Sequence, residues 1–203
     1  MKYEINLKTV VKDRNGKIIS ENEQKCNSYV KNFLLLLNAG FRISTSSVVD
    51  TGGTVQNTGA KAHYSNGWCN FGGYTITTYG GWSALAGAGD DTFGIVVGTG
   101  DTPVTADDYN LASKIAHGTD AGQLSYGAVT LYDPFVSDYT VKQRIARSFT
   151  NNSGADITVK EIGLIVKTSV DNYLVMIIRD VITAKTVPAG GSLDIELVLK
   201  TVA

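Results

Sequence analysis

The sequence predicts a mainly β protein: an antiparallel β-sandwich of jelly-roll-like kind, with one short N-terminal helix and a long insertion rich in glycine and aromatic residues. Three observations carry this. The C-terminal half is a run of strand-like segments separated by turn-forming residues, and helical periodicity is confined to a stretch near residue 30. The last segment alternates strictly, with Leu193, Ile195, Leu197 and Leu199 on one face and Asp194, Glu196, Val198 and Lys200 on the other. All of 1–203 reads as a single domain, a length that one large sandwich accommodates.

Taken in order, Glu4 to Val11 reads as a strand. Asp13-Arg14-Asn15-Gly16-Lys17 follows as a hairpin turn, in which Asn15 and Gly16 tolerate the positive φ of a type I′ turn. Ile18 and Ile19 open the return strand. Ser28 is placed to cap a helix running to about Asn38, with Gly40 as its stop. Tyr29, Val30 and Phe33 to Leu37 cover nearly the whole circumference of that helix, so the sheet and following loop, or a neighbouring subunit, is expected to enclose it. Residues 43–91 change character, with Gly52-Gly53, Gly72-Gly73 and Gly80-Gly81 among Thr, Ser and Asn. This stretch reads as a loop-rich insertion or assembly arm, with Tyr74 to Tyr79 as a short strand inside it.

Gly94 to Gly98 then forms a buried strand, and Asp107 to Leu111 a short helical or turn segment. Five strands follow, Gly127 to Tyr132, Tyr139 to Thr150, Ile157 to Lys167, Tyr173 to Ile182 and Leu193 to Val202. Their turns lie at Asn151-Asn152-Ser153-Gly154, Ser169-Val170-Asp171-Asn172 and Pro188-Ala189-Gly190-Gly191. In the third of these strands the alternation breaks near Glu161-Ile162-Gly163. That predicts a bulge or close packing at Gly163 and a strand covered on both sides.

Composition bounds the chemistry. Hydrophobic residues make up 43% and charged ones 18%, below the roughly 25% charge usual in soluble domains, so much of the surface is neutral and suited to lying against other protein. The net charge of −1, without any basic run, argues against a nucleic-acid partner. The opening residues alternate at once without a secretory pattern, and the apolar stretch around Phe33 to Leu37 is far short of the roughly 20 residues that cross a bilayer, so no membrane role is expected. Cys26 and Cys69 lie in dissimilar contexts and read as two free thiols.

Motifs for catalysis or cofactors fail on inspection. Gly94-Ile95-Val96-Val97-Gly98-Thr99-Gly100 is superficially a nucleotide-binding turn, but Pro103 stands where the third glycine belongs. His63 and His117 are isolated, without partners at metal-ligand spacing. Asp90-Asp91, Asp101 and Asp107-Asp108 fit turn and capping roles better than a calcium loop. No Gly-x-Ser-x-Gly elbow occurs. Asp194 and Glu196, a formal carboxylate pair, are expected to point into water beside Lys200. No catalytic residue, cofactor, metal site or small-molecule ligand is therefore assigned, and the chain is not expected to be an enzyme.

Two segments and a closing turn carry a family resemblance. Gly94-Ile-Val-Val-Gly-Thr-Gly-Asp-Thr-Pro-Val-Thr-Ala-Asp-Asp-Tyr-Asn-Leu-Ala-Ser113 and Arg147-Ser-Phe-Thr-Asn-Asn-Ser-Gly-Ala-Asp-Ile-Thr-Val-Lys-Glu-Ile-Gly-Leu164, followed by Thr186-Val-Pro-Ala-Gly-Gly-Ser-Leu193, resemble passages of tailed-bacteriophage virion structural proteins. The resemblance implies a capsid-associated, head-tail connection (collar) or tail component, located in the virion and made in the host cytoplasm. Its expected partners are itself, as a symmetric homo-oligomer, and other virion proteins. Aromatics dominate interface energetics, so Trp68, Phe71, Tyr74, Tyr79 and Trp82 are the interface candidates, with satellite core beneath a long loop as their other reading. A carbohydrate-binding host-attachment module, with Trp68, Tyr79 or Trp82 stacking on sugar rings, is the alternative function.

Overall fold

A computed structural model describes residues 2–26, 29–42, 45–59, 82–137, 140–169 and 171–202. The protein is mainly β, built of antiparallel sheets with one helix among the described residues. One sheet runs β2 (Ile18–Cys26), β1 (Lys2–Lys12), β13 (Ser192–Val202), β10 (Thr140–Thr150). Three short strands share its far edge along β10: β7 (Ser125–Tyr126), β8 (Thr130–Leu131) and β9 (Phe135–Ser137). The second sheet sets β12 (Leu174–Val187) beside β11 (Ile157–Thr168), whose other edge takes β6 (Gly94–Gly98) and β5 (Trp82–Ser83). A separate ribbon joins β3 (Thr45–Val49) to β4 (Val55–Gly59), and α1 (Lys31–Arg42) precedes it.

The alternation of β13 places its side chains as expected. Leu193, Ile195 and Leu197 are buried, together with Ile5, Leu7 and Val11 of the neighbouring β1, while β10 contributes Ile145 and Phe149. These join Ile162, Leu164, Val166, Val175, Ile177 and the buried β6 in one core. On the opposite face cross-strand ion pairs replace apolar contacts. Asp194 bonds Lys12 at 2.6 Å and Ser148, Glu196 meets Arg144 at 3.4 Å, and Lys200 pairs with Glu4 rather than with either carboxylate.

Several local expectations need correction. In the first hairpin only Gly16 has positive φ; its amide donates to the Asp13 carbonyl at 3.0 Å, and the Asp13 amide donates to Lys17. The loop is thus three residues, Arg14-Asn15-Gly16, and not a two-residue type I′ turn. Asp13 decides this: its Oδ1 accepts the Asn15 and Lys17 amides and stabilises the longer loop. Asp50-Thr51-Gly52-Gly53-Thr54 repeats the arrangement between β3 and β4, with Asp50 Oδ1 accepting from Gly52 and Thr54 and Gly53 at positive φ. So part of the expected insertion at 43–91 is a hairpin, and Tyr74 to Tyr79 lies outside the described residues.

The helix starts at Lys31 and passes through Gly40 to Arg42; the proposed cap, Ser28, lies outside the described residues. It is not enclosed on every side. Val30, Asn32 and Leu36 are buried, whereas Leu34 is 66% exposed. Gly127 to Tyr132 yields only β8, because the Gly127 and Val129 amides bond Ser148 and Ala86 outside a regular ladder.

The break read at Glu161-Ile162-Gly163 is real. The β11–β12 register shifts between Val159 and Glu161, and residues 161–166 are all buried. A Cβ at Gly163 would lie 2.8 Å from the Met176 methyl and 3.1 Å from Leu111, so close packing applies as well. Gly98 is tighter. A Cβ there would lie 2.4 Å from the Ser113 carbonyl oxygen and 2.6 Å from Glu161 Oε1. Main chain cannot retreat as a methionine tip can, so Gly98→Ala should cost about 2–3 kcal/mol and Gly163→Ala clearly less, on the scale of core overpacking. Urea unfolding of both variants checks the order; equal losses would refute it.

Candidate functional site

Two buried arginines organise the loops that leave β6, and they are the most elaborate polar arrangements among the described residues. The bulge in β11 sets Glu161 on the face of the second sheet that Gly163 shares, beneath the loop leaving β6, and β12 places Arg179 opposite Gly163. The chain leaving Gly98 folds back over both. Glu161 and Arg179 side chains are 0% and 2% exposed.

Every lone pair of the Glu161 carboxylate that faces the loop is taken. Oε1 accepts the Gly100 amide at 3.1 Å and the Ser113 amide at 2.7 Å; Oε2 accepts the Ala112 amide at 3.0 Å and Arg179 Nε and Nη2 at 3.1 and 3.0 Å. Arg179 Nη1 donates to Asp108 Oδ2 at 2.7 Å, and Nη2 donates to both oxygens of Thr102. Asp108 also accepts the Thr105 amide and hydroxyl. One carboxylate and one guanidinium thereby fasten the loop at residues 100, 102, 108, 112 and 113.

Burial opposes charge on Arg179, but the Asp108 and Glu161 carboxylates outweigh it and hold its pKa above the usual arginine value. Burial likewise works against the Asp108 carboxylate. The Thr105 amide and Arg179 prevail, keeping its pKa below the usual carboxylate range.

Arg147 forms the second centre. It lies in the inward phase of β10, between Ile145 and Phe149, and is 2% exposed. Each N–H of its guanidinium meets a main-chain carbonyl: Gly127 at 2.8 Å, Phe93 at 3.0 Å, Ile95 at 2.9 Å, Gly87 at 3.3 Å, and Asp90. The plane of five donors suits a ring of carbonyls, and a lysine could not reproduce it. The guanidinium sits 4.7 Å from the Tyr126 ring centre. Burial pushes the Arg147 pKa down and the Tyr126 phenol up; the latter donates to Ile115 O at 2.6 Å. Because Arg147 is on the first sheet and Phe93 and Ile95 lead into and lie on β6 of the second, this cage ties the two sheets together.

Asn151, with 0% exposure, makes a third junction. Its amide nitrogen donates to the Ala155 and Val187 carbonyls at 2.8 Å, its Oδ1 accepts from Ser153, and its main chain bonds Gly190 and Gly191. The turn at 151–154 is thereby welded to the closing turn at 188–191.

The sequence missed Arg147, Glu161 and Arg179 as key residues, although a signal existed. Arg147 occupies an inward position of an alternating strand, and Arg179 interrupts the apolar run from Val175 to Ile182. A charge in such a position requires a partner.

Of the interface candidates, Trp68, Phe71, Tyr74 and Tyr79 lie outside the described residues, as do His63 and Cys69. Trp82 is on β5 opposite Thr168 and is 41% exposed. Cys26 is buried at the end of β2. His117 accepts the Tyr126 amide on Nδ1, while its own amide donates to Asp91. Asp90 caps Thr92, and Asp101 pairs with Lys160. Among the described residues no group of three or more His, Cys, Asp or Glu is placed to hold a metal ion, and no helix is long and apolar enough to cross a membrane. A shallow depression between α1, the β3–β4 ribbon and the 106–108 turn is lined by Lys31, Leu35, Val49, Val55 and Asp107, with Asn32 bonded to both main-chain groups of Val49.

The fold and these junctions define a class: a mainly antiparallel β protein whose long loops are clamped by buried charge. In comparisons with known proteins, no family model, no curated protein and no solved structure matches the chain.

Proposed function

We propose that the chain is a self-assembling structural subunit of a tailed-phage particle, capsid-associated, at the head-tail connection or in the tail, that packs against copies of itself and other virion proteins and carries out no bond chemistry. Its two larger sheets would face each other as an antiparallel sandwich of jelly-roll-like kind. One observation carries this reading. The three segments that resemble virion proteins are the segments that hold one another: Glu161 of the Glu-Ile-Gly-Leu strand binds the loop beginning Val-Gly-Thr-Gly, and Asn151 binds the Pro-Ala-Gly-Gly turn.

In this reading the motifs are devices for rigidity. Glu161 faces main-chain amides and Arg179, and Arg147 faces carbonyls, so their polar atoms are engaged in fixing loop shape. Preformed loops lose little entropy when they dock, which favours repeated weak contacts around a symmetric assembly. Light scattering of the purified chain tests the proposal. A discrete oligomer at micromolar concentration is expected; a monomer at every concentration would refute self-assembly.

A further inference from the structure

We infer that the sheet corner formed by residues 131–136 and 141–144 is the contact through which two copies of this chain meet, across a twofold axis. The inference rests on the self-assembly reading above and names its surface. Along β10 the inward phase runs through Val141, Gln143, Ile145, Arg147 and Phe149. Ile145, Arg147 and Phe149 are buried as that phase requires, yet Val141 is 44% exposed. Its cross-strand partner Val136 is 71% exposed, and Leu131, opposite Ile145, is also exposed. Beyond Gln143 the phase thus turns apolar again outside the core, with Val136 and Val141 side by side and uncovered.

The other face of the same corner is apolar too. Tyr132 and Phe135 are exposed there, with the Arg144 guanidinium 4.1 Å from the Tyr132 ring centre and Lys142 Nζ 6.0 Å from that of Phe135. β9 is the outermost strand of this sheet beside β10. An edge with large apolar side chains on both faces is a pairing surface unless something covers it.

Charge selects a second copy as the occupant. Asp133 lies in the connection between β8 and β9, beside Tyr132, and neither it nor Lys142 forms an ion pair with another described residue. The patch thus carries both signs around an apolar centre and is complementary to itself, which is what an isologous contact demands. Packing two such corners buries Phe135, Val136 and Val141 and sets Asp133 of each copy near Lys142 of the partner subunit.

Sedimentation of the full chain tests this with Val136→Glu, Asp133→Lys, Lys142→Asp and the double charge exchange Asp133→Lys/Lys142→Asp. Ile19→Glu, on the exposed start of the opposite edge strand β2, serves as control, and circular dichroism verifies folding. We expect Val136→Glu and each single charge reversal to weaken self-association at least about tenfold, the double exchange to restore it, and Ile19→Glu to leave it unchanged. An oligomeric wild type indifferent to Val136→Glu would overturn this contact while leaving self-assembly intact. Failure of the double exchange to restore association would overturn the pairing of like corners. A wild type that never associates would overturn both.

Discussion

Replacing Glu161 by Gln should destabilise the protein by about 3–5 kcal/mol, the cost of leaving a buried charge without its partner. The substitution preserves shape and volume, so packing is not at issue. A carboxylate accepts five hydrogen bonds here, three from main-chain amides and two from Arg179. An amide offers one oxygen; its nitrogen would point donor hydrogens at donors whichever way the group is turned. Arg179 would keep only Asp108 as a counter-ion, at the partly exposed side of the cluster. Because the 100–113 loop is fastened chiefly through this group, hydrogen exchange of the Gly100, Ala112 and Ser113 amides should accelerate before global unfolding. Urea denaturation together with exchange rates checks both parts. A loss under about 1 kcal/mol would mean that the loop is held by its other contacts.

Arg147→Met is expected to cost a similar amount, about 4 kcal/mol, through a different mechanism. Methionine retains much of the apolar stem, so the loss isolates the guanidinium. Five carbonyls lose their donor, and each one that stays buried without water costs about 1–3 kcal/mol. Relaxation and water entry bring the sum down to the few kcal/mol typical of severe single substitutions. Arg147→Lys should recover less than half of the loss, since one ammonium cannot reach acceptors arranged around a plane. Calorimetry of the two variants would decide, and a lysine variant as stable as the wild type would show that positive charge alone suffices.

Local pattern made some of this legible. Strict alternation at Leu193 to Lys200 named the buried face of β13, and the continuous apolar run at Gly94 to Gly98 named a buried strand. The slip in phase at Glu161 announced the bulge, since a period of two cannot change face otherwise. Other features were illegible for equally physical reasons. Asn15-Gly16 permits two hairpin loops, and the choice lay with a hydrogen bond that the Asn15 amide donates to an aspartate two residues earlier. The helix outran Gly40, a weak stop because an interior glycine costs a helix only about 1 kcal/mol.

Strand order and the roles of the charged residues lay beyond the sequence altogether. Arg147 bonds carbonyls 20 to 60 residues away, and Glu161 bonds amides 48 to 61 residues away. Distances of that kind leave no periodic trace. By itself the sequence determined the β class, the faces of the principal strands and the close packing at Gly163, because these follow from residue type and a repeat of two. Only the tertiary structure decided which loops the buried charges clamp and which sheet corner stays uncovered, because both depend on what the fold brings beside each residue.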